Sequence, residues 1–190
     1  MMNLEALRAR TLAQVGAEAE ELAELQPQVD DYINEGYRDM LLRAYKPRRT
    51  ESVCAQDGRV AFSALKGVPI GGVGAFVPGL YSLTVWIDED EKCVRVPAAP
   101  DGCVLAVRYR YLPRALSDAE DTPITPEWTH NALADWATWR LYTNGNPHRQ
   151  NRGQAFRARY EEVLRQVKPM GALEPGAEQF HGLYAGCVRQ

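Results

Sequence analysis

Between residues 105 and 168 the sequence changes period, and every boundary is marked. Leu105 to Tyr111 alternate as a strand does, and the acidic connector Ser117-Asp118-Ala119-Glu120-Asp121-Thr122-Pro123 follows. Two helical stretches come next, parted by Asn144-Gly145-Asn146-Pro147. Thr125 can cap the first helix with Pro126 at its first helical position, and Asn146 with Pro147 repeats that device for the second. Gly145 stands where a helix end needs a left-handed residue. Together these signals predict one helical hairpin entered from a strand, in which no residue grouping looks catalytic.

The two helices of this hairpin differ. Over 126–143, Trp128, Leu133, Trp136, Ala137, Trp139, Leu141 and Tyr142 surround the helix nearly completely, so it belongs at the centre of a core. Over 147–168 a single stripe of Phe156, Tyr160, Val163, Leu164 and Val167 lies beneath a basic surface. Upstream, Leu4, Leu7, Leu12, Val15, Ala19 and Leu22 recur at helical steps and predict a helix over about 3–25 that breaks at Pro27. A second helix is expected from about 28 to 45, with Val29, Ile33, Tyr37, Met40 and Leu41 as its stripe. It stops before Lys46-Pro47, because a residue preceding proline is pushed out of the helical region.

Residues 50–112 switch to period two. Asp57-Gly58, between Val53–Gln56 and Arg59–Phe62, is a two-residue hairpin signal. The stretch 67–79 reads as a glycine-rich loop whose apolar side chains either fold onto a sheet or project toward a partner. Tyr81–Ile87 and Cys93–Val96 are expected as strands around the acidic turn 88–91. The strand 103–111 should direct Leu105, Val107, Tyr109 and Tyr111 to one face. The expected fold is therefore α+β and mainly α. Residues 1–46 and 113–168 form a helical bundle of two N-terminal and two C-terminal helices. Residues 47–112 form an inserted antiparallel β module, and 169–190 an extended C-terminal arm.

With 45% hydrophobic and 25% charged residues and a formal net charge of −3, the chain has the balance of a globular protein. That charge gives it no general drive toward nucleic acid or anionic membrane. The opening Met1-Met2-Asn3-Leu4-Glu5 lacks the basic-then-apolar pattern of a signal peptide, and no apolar run approaches the roughly 20 residues of a bilayer span. Cys54, Cys93, Cys103 and Cys187 form no Cys-x-x-Cys pair and are expected as reduced thiols.

No motif points to catalysis, cofactor or metal. His130, His148 and His181 have no ligand spacing, and the Asp88–Glu91 run lacks the alternating oxygens and central glycine of a calcium loop. No serine sits in a nucleophile elbow. Gly72-Val73-Gly74 lacks the third glycine of a dinucleotide fingerprint, and Pro78 stands where a helix should open. The basic surface of the last helix has three readings: a solvated face, a partner for the acidic first helices of a neighbouring copy, or a face in passing contact with nucleic acid.

Past residue 168 periodicity disappears. Burying Met170, Leu173, Phe180, Leu183, Tyr184 and Val188 returns less free energy than ordering some twenty residues costs. The tail is thus either disordered or ordered on another protein by added backbone pairing. Its spaced aromatic residues favour a docking arm.

The layout resembles a known family. Val29-Asp30-Asp31-Tyr32-Ile33-Asn34-Glu35-Gly36-Tyr37-Arg38-Asp39-Met40-Leu41 is followed by a β module ending in Tyr109-Arg110-Tyr111-Leu112-Pro113. The Leu116-Ser117-Asp118 connector comes next, then Pro126-Glu127-Trp128-Thr129-His130-Asn131-Ala132-Leu133-Ala134-Asp135-Trp136-Ala137 and Gln154-Ala155-Phe156-Arg157-Ala158-Arg159-Tyr160. Over roughly residues 25–168 this is similar to the adaptor proteins of tailed-phage necks, also called head-to-tail connector or head-completion proteins.

The resemblance implies a structural virion protein, not an enzyme, with no cofactor. It would be assembled in the host cytoplasm and held in the neck. The implied partners are the portal protein, further copies in a ring of usually twelve, and the next neck or tail-completion protein. Double-stranded DNA would pass non-specifically through the channel that the ring extends, and no membrane is involved. The docking arm would use Met170, Leu173, Phe180, Leu183, Tyr184 and Val188. Subunit contacts would pair Glu20, Glu21 and Glu24 with Arg149, Arg152, Arg157 and Arg159. Ile70, Val73, Phe76 and Val77 would meet the next neck component. The sizeable β module departs from the smallest relatives. A rival reading is a monomeric binding module whose Trp86, Tyr81 and Tyr109 hold a small ligand or sugar.

Overall fold

The computed structural model describes residues 1–16, 19–77, 81–143 and 147–169, without the side chains of 19–26, 81 and 147–149. The chain divides into two compact units, Met1–Tyr45 with Arg114–Pro169, and Lys46–Pro113.

The first unit is helical. Helix α1 covers Leu4–Val15, where the Asn3 side chain accepts the Ala6 N–H. It ends at Gly16, whose φ of 68° suits a residue without Cβ and whose N–H donates to the Leu12 carbonyl at 3.0 Å. The first helix thus breaks at Gly16, not at Pro27. Pro27 lies inside α2, Ala19–Met40, at an exposed position. A π-helical turn over Leu41–Tyr45 closes that segment. A 3₁₀ turn at Glu127–Thr129 leads into α3, His130–Thr143, and α4 runs Pro147–Gln166.

Helix α3 is the core of this unit and packs on α1, α2 and α4. Leu133, Ala134, Trp136, Ala137 and Thr138 are buried along it, against Leu4 and Leu7 of α1, Ile33 and Tyr37 of α2, and Tyr160 and Leu164 of α4. Antiparallel packing sets Tyr142 near Phe156, with ring centroids 5.9 Å apart, and Trp136 near Tyr160 at 4.7 Å.

The second unit is all β apart from a short 3₁₀ turn at Phe62–Ala64. Its strands are β1 Arg48–Cys54, β2 Arg59–Ala61, β3 Pro69–Val77, β4 Tyr81–Leu83, β5 Trp86–Asp88, β6 Cys93–Arg95 and β7 Val104–Tyr111. They form two antiparallel sheets, ordered β1-β7-β3-β4 and β2-β6-β5. Asp57 and Gly58 turn the chain with φ of 50° and 67°, the two left-handed positions of a type I′ turn. Only Gln56 and Arg59 bridge across it, because β1 goes on to pair with β7 while β2 pairs with β6. Val53, Val60, Val94, Leu105, Val107 and Tyr109 fill the core of this unit.

A mainly helical bundle is therefore not what the chain builds. The described residues hold four helices and seven strands in two sheets, about 46% helix and 24% strand. The largest shift is the 67–79 stretch, expected as a loop. It supplies β3, an interior strand paired to β7 and β4. Register shifts between Pro69 and Gly71 and between Gly71 and Gly74 absorb its extra residues as bulges, hiding the two-residue alternation.

Candidate interaction surfaces

Helix α4 owes its basic face to composition. From Gln150 to Tyr160 it carries Arg152, Arg157 and Arg159 and no carboxylate. Arg159 is tied down: its Nη2 donates to Asp135 Oδ1 at 2.9 Å, and its guanidinium lies 4.4 Å from the Phe156 ring centre. Arg157 stacks over Trp139 at 4.8 Å and lies close enough to Glu161 to help lower its carboxyl, after Arg43, while Arg152 stacks over Tyr142 at 5.7 Å. Arg140 continues the row between Tyr32 and Trp139, anchored to Glu35 at 2.8 Å. The aromatic rings lie under guanidiniums, so this face presents positive charge and not bare stacking platforms.

A second surface forms where the connector meets the start of α1. Leu4 N–H donates to Asp121 O at 2.9 Å and Glu5 N–H to Ala119 O at 3.1 Å, which tie the two segments together. Asp121 is used internally. It accepts the Ser117 and Asp118 N–H groups at 2.8 and 3.0 Å and pairs with Arg114 at 2.7 Å, and these donors hold its carboxyl down to about 2. Glu127 pairs with the amino terminus, which lowers its carboxyl from the ordinary range. Exposed among these charges are Met1, Ile124 and Trp128, the last with 51% of its surface open. Trp128, expected in the core stripe of the hairpin, sits on the 3₁₀ turn instead, where the helical period does not yet apply.

In the β unit the acidic turn is an ion-pair cluster. Asp88, Glu91 and Cys93 bring potential ligand atoms within 4.8 Å of one another. Arg95 Nε donates to Asp88 at 3.2 Å, and Arg95 and Arg59 pair with Glu91 at 2.5 and 2.9 Å. The Glu91 N–H, then Arg95, holds the Asp88 carboxyl below its usual range, while burial pushes the Cys93 thiol up. Two guanidiniums already neutralise both carboxylates, and a protonated thiol is a weak ligand, so this cluster is structural. Among the described residues Cys54, Cys93 and Cys103 are free thiols.

The residues singled out in the sequence fare unevenly. Arg152, Arg157 and Arg159 all lie on α4, the first and last on one flank of its packing stripe and Arg157 on the other, over three different rings. Glu20, Glu21 and Glu24 lie in α2, but their side chains, like that of Arg149, fall outside the described residues. So do Met170, Leu173, Phe180, Leu183, Tyr184 and Val188. On β3, Ile70 is exposed, while Val73 and Val77 pack against the core of the β unit, so the four do not make one open stripe with Phe76. Of the ligand-binding trio, Tyr109 is fully buried and donates its hydroxyl to Glu51 at 3.1 Å, whereas Trp86 is exposed and the Tyr81 side chain is not described.

What the described surface offers is charge and apolar area suited to holding other macromolecules, the equipment of a structural protein. The family model for the SU10 adaptor protein matches residues 2–178, and the chain belongs to that family. It is thus a structural adaptor protein of a phage, incorporated into the virion, in a family of adaptors and not of enzymes. No curated protein matches the sequence. Among the described residues no helix is long and apolar enough to cross a membrane.

Proposed function

We propose that this adaptor acts as a head-to-tail connector: copies of it form a ring on the portal protein and carry the DNA channel toward the tail. The observation that carries the reading is the family match over residues 2–178. The exposed arginines of α4, on both flanks of its packing stripe, add charge suited to repeated contact. In this reading residues 170–190 are the arm that docks on the portal. A ring offers many such arms at once, so modest affinity per arm becomes a lasting joint through effective concentration. Identical subunits close head-to-tail around an axis because each presents one surface and its complement.

The test is capture by the purified portal protein, read as co-sedimentation of the mixture. The full chain should be captured. A chain lacking 170–190 should keep its helical circular dichroism, because the helices of the described residues all lie earlier, and should lose capture at least about a hundredfold. Undiminished capture by the shortened chain rejects the docking arm. Absence of capture by the full chain rejects the connector reading itself.

A further inference from the structure

We propose that the outward face of the four-stranded sheet is an anion-binding surface that meets the phosphodiester backbone of double-stranded DNA. The preference for an anion follows from the strands alone. The choice of duplex DNA deepens the connector reading above and rests on it, because a channel for DNA brings that polyanion alongside each subunit.

The strand register gathers the residues. In an antiparallel pair, residues directly opposite one another share a face. Arg48 of β1 stands opposite Arg110 of β7, and Thr50 opposite Arg108. On its other side β7 sets Arg110 against Gly71 of β3 and Arg108 against Gly74. The next row is Ser52, Ala106, Phe76 and Ser82. Leu105, Val107 and Tyr109, which alternate with these on β7, are fully buried in the core, so the arginine rows face outward. Among the described residues of the four strands the one carboxylate is Glu51. It lies on the core face, where it accepts the Tyr109 hydroxyl at 3.1 Å. Like charges directly opposite one another destabilise a sheet. Arg48 and Arg110 make such a pair, with no carboxylate partner among the described residues, and the Arg110 Nε is buried without a hydrogen-bond acceptor. Gly72 gives that side chain its place, since a Cβ there would come within 3.1 Å of Arg110 Cδ. An anion across the pair removes the repulsion and supplies an acceptor.

The chemistry of the face selects phosphate. Guanidinium forks hold phosphate oxygens bidentately, and serine and threonine hydroxyls are regular phosphate donors. Arg108 and Arg110 are two residues apart on one strand, roughly 6.6 Å, and Arg48 is about 5 Å from Arg110 across the pair. A duplex carries one charge per roughly 1.7 Å of its axis, so several phosphates come within reach of side chains this long. A protein partner needs an exposed aromatic or aliphatic anchor instead. Phe76 is the one large apolar side chain of these rows, and it is half-buried, its ring against Gly74. The formal net charge of −3 gives the chain no general attraction to DNA, so the attraction has to be local.

The experiment is fluorescence anisotropy of a short labelled duplex titrated with the full chain at a series of salt concentrations. Three phosphate contacts predict that the logarithm of affinity falls with that of salt at a slope of about −2.7. R48Q/R110Q should bring the slope to about −0.9 and weaken binding at low salt at least about tenfold. R48Q alone, at an exposed position that the fold does not need, should reduce the slope by about 1. R10Q/R38Q removes as much charge at exposed positions of the helical unit and should change binding less than about twofold. No binding by the wild-type chain at low salt, or a slope unchanged in R48Q and R48Q/R110Q, overturns this surface. So does an equal loss in R10Q/R38Q. Polyglutamate that displaces the duplex at equal charge concentration overturns the assignment to phosphate in favour of a carboxylate-bearing protein. These outcomes leave capture by the portal, and the connector reading, in place. Absence of portal capture with the DNA slopes as expected rejects the connector reading and leaves the face as a phosphate surface.

Discussion

Replacing Gly36 by alanine should destabilise the helical unit, although alanine is the better helix former. A Cβ at Gly36 would stand 2.7 Å from Trp136 Cγ, 2.8 Å from Cδ1 and 2.9 Å from Cβ. Ordinary carbon contacts are about 3.5–4.0 Å, so the indole must retreat by roughly 1 Å. It has little room, because the Tyr160 ring centre lies 4.7 Å away and that of Trp139 4.8 Å. Overpacking of this kind costs about 1–3 kcal/mol. Tyr160 also donates to the Gly36 carbonyl at 3.1 Å and to Asp39 at 2.8 Å, and disturbing either bond adds about 1 kcal/mol. Against this, alanine gains about 1 kcal/mol in helix propensity. The net expectation is a loss of about 2 kcal/mol in urea unfolding followed by helical circular dichroism. In a W136A background, which removes the Cγ and Cδ1 contacts and keeps only that to Cβ, the loss should shrink. A G36A chain about 1 kcal/mol more stable than wild type would show that propensity alone governs this position and that the α2–α3 approach is not as close as described.

Asp135, almost fully buried in α3, accepts from Gln14 Nε2 at 2.8 Å and Arg159 Nη2 at 2.9 Å through one oxygen. D135A strands both donors and should cost about 2–3 kcal/mol, with D135N, which keeps an acceptor, costing less; a change within about 0.5 kcal/mol in urea unfolding contradicts this. The Asp121 carboxyl, held down to about 2 by the backbone N–H groups of Asp118 and Ser117 and then by Arg114, lies below its ordinary value of 3.8. Its contribution is therefore complete above pH 3.8 and disappears as pH falls through about 2. Amide shifts of Ser117 and Asp118 should titrate in that window and be flat in D121N, whereas a midpoint near the ordinary carboxyl value refutes the anchoring.

Much of the architecture was legible where local chemistry and tertiary demand agree. Asp57-Gly58 occupies its expected turn, and Leu105, Val107 and Tyr109 are buried on the strand where alternation puts them. The misses have physical causes. Gly16 outranks Pro27 as a helix stop because a left-handed cap satisfies a carbonyl at once, whereas a proline forfeits a single backbone bond. Strand β3 is invisible to pattern reading because Gly71, Gly72 and Gly74 carry no side chain to alternate. What holds it in place lies elsewhere in the chain: β7 on one edge and β4 on the other. At Gly72 a Cβ would come within 3.1 Å of Arg110 Cδ, so the glycines that look like loop punctuation let a long arginine cross the sheet.

The candidate surfaces follow the same division. The arginines of α4 were visible because charge on a helix is a local property. Trp128 was not, because its place in the helical stripe is a matter of one turn: Pro126, expected at the first helical position, precedes a 3₁₀ turn at Glu127–Thr129, and the indole is exposed before the regular period begins at His130. The same Pro126 and Thr125 that announce the hairpin thus turn its first aromatic residue outward. Asp121 then fixes the connector beside it through three donors from Ser117, Asp118 and Arg114.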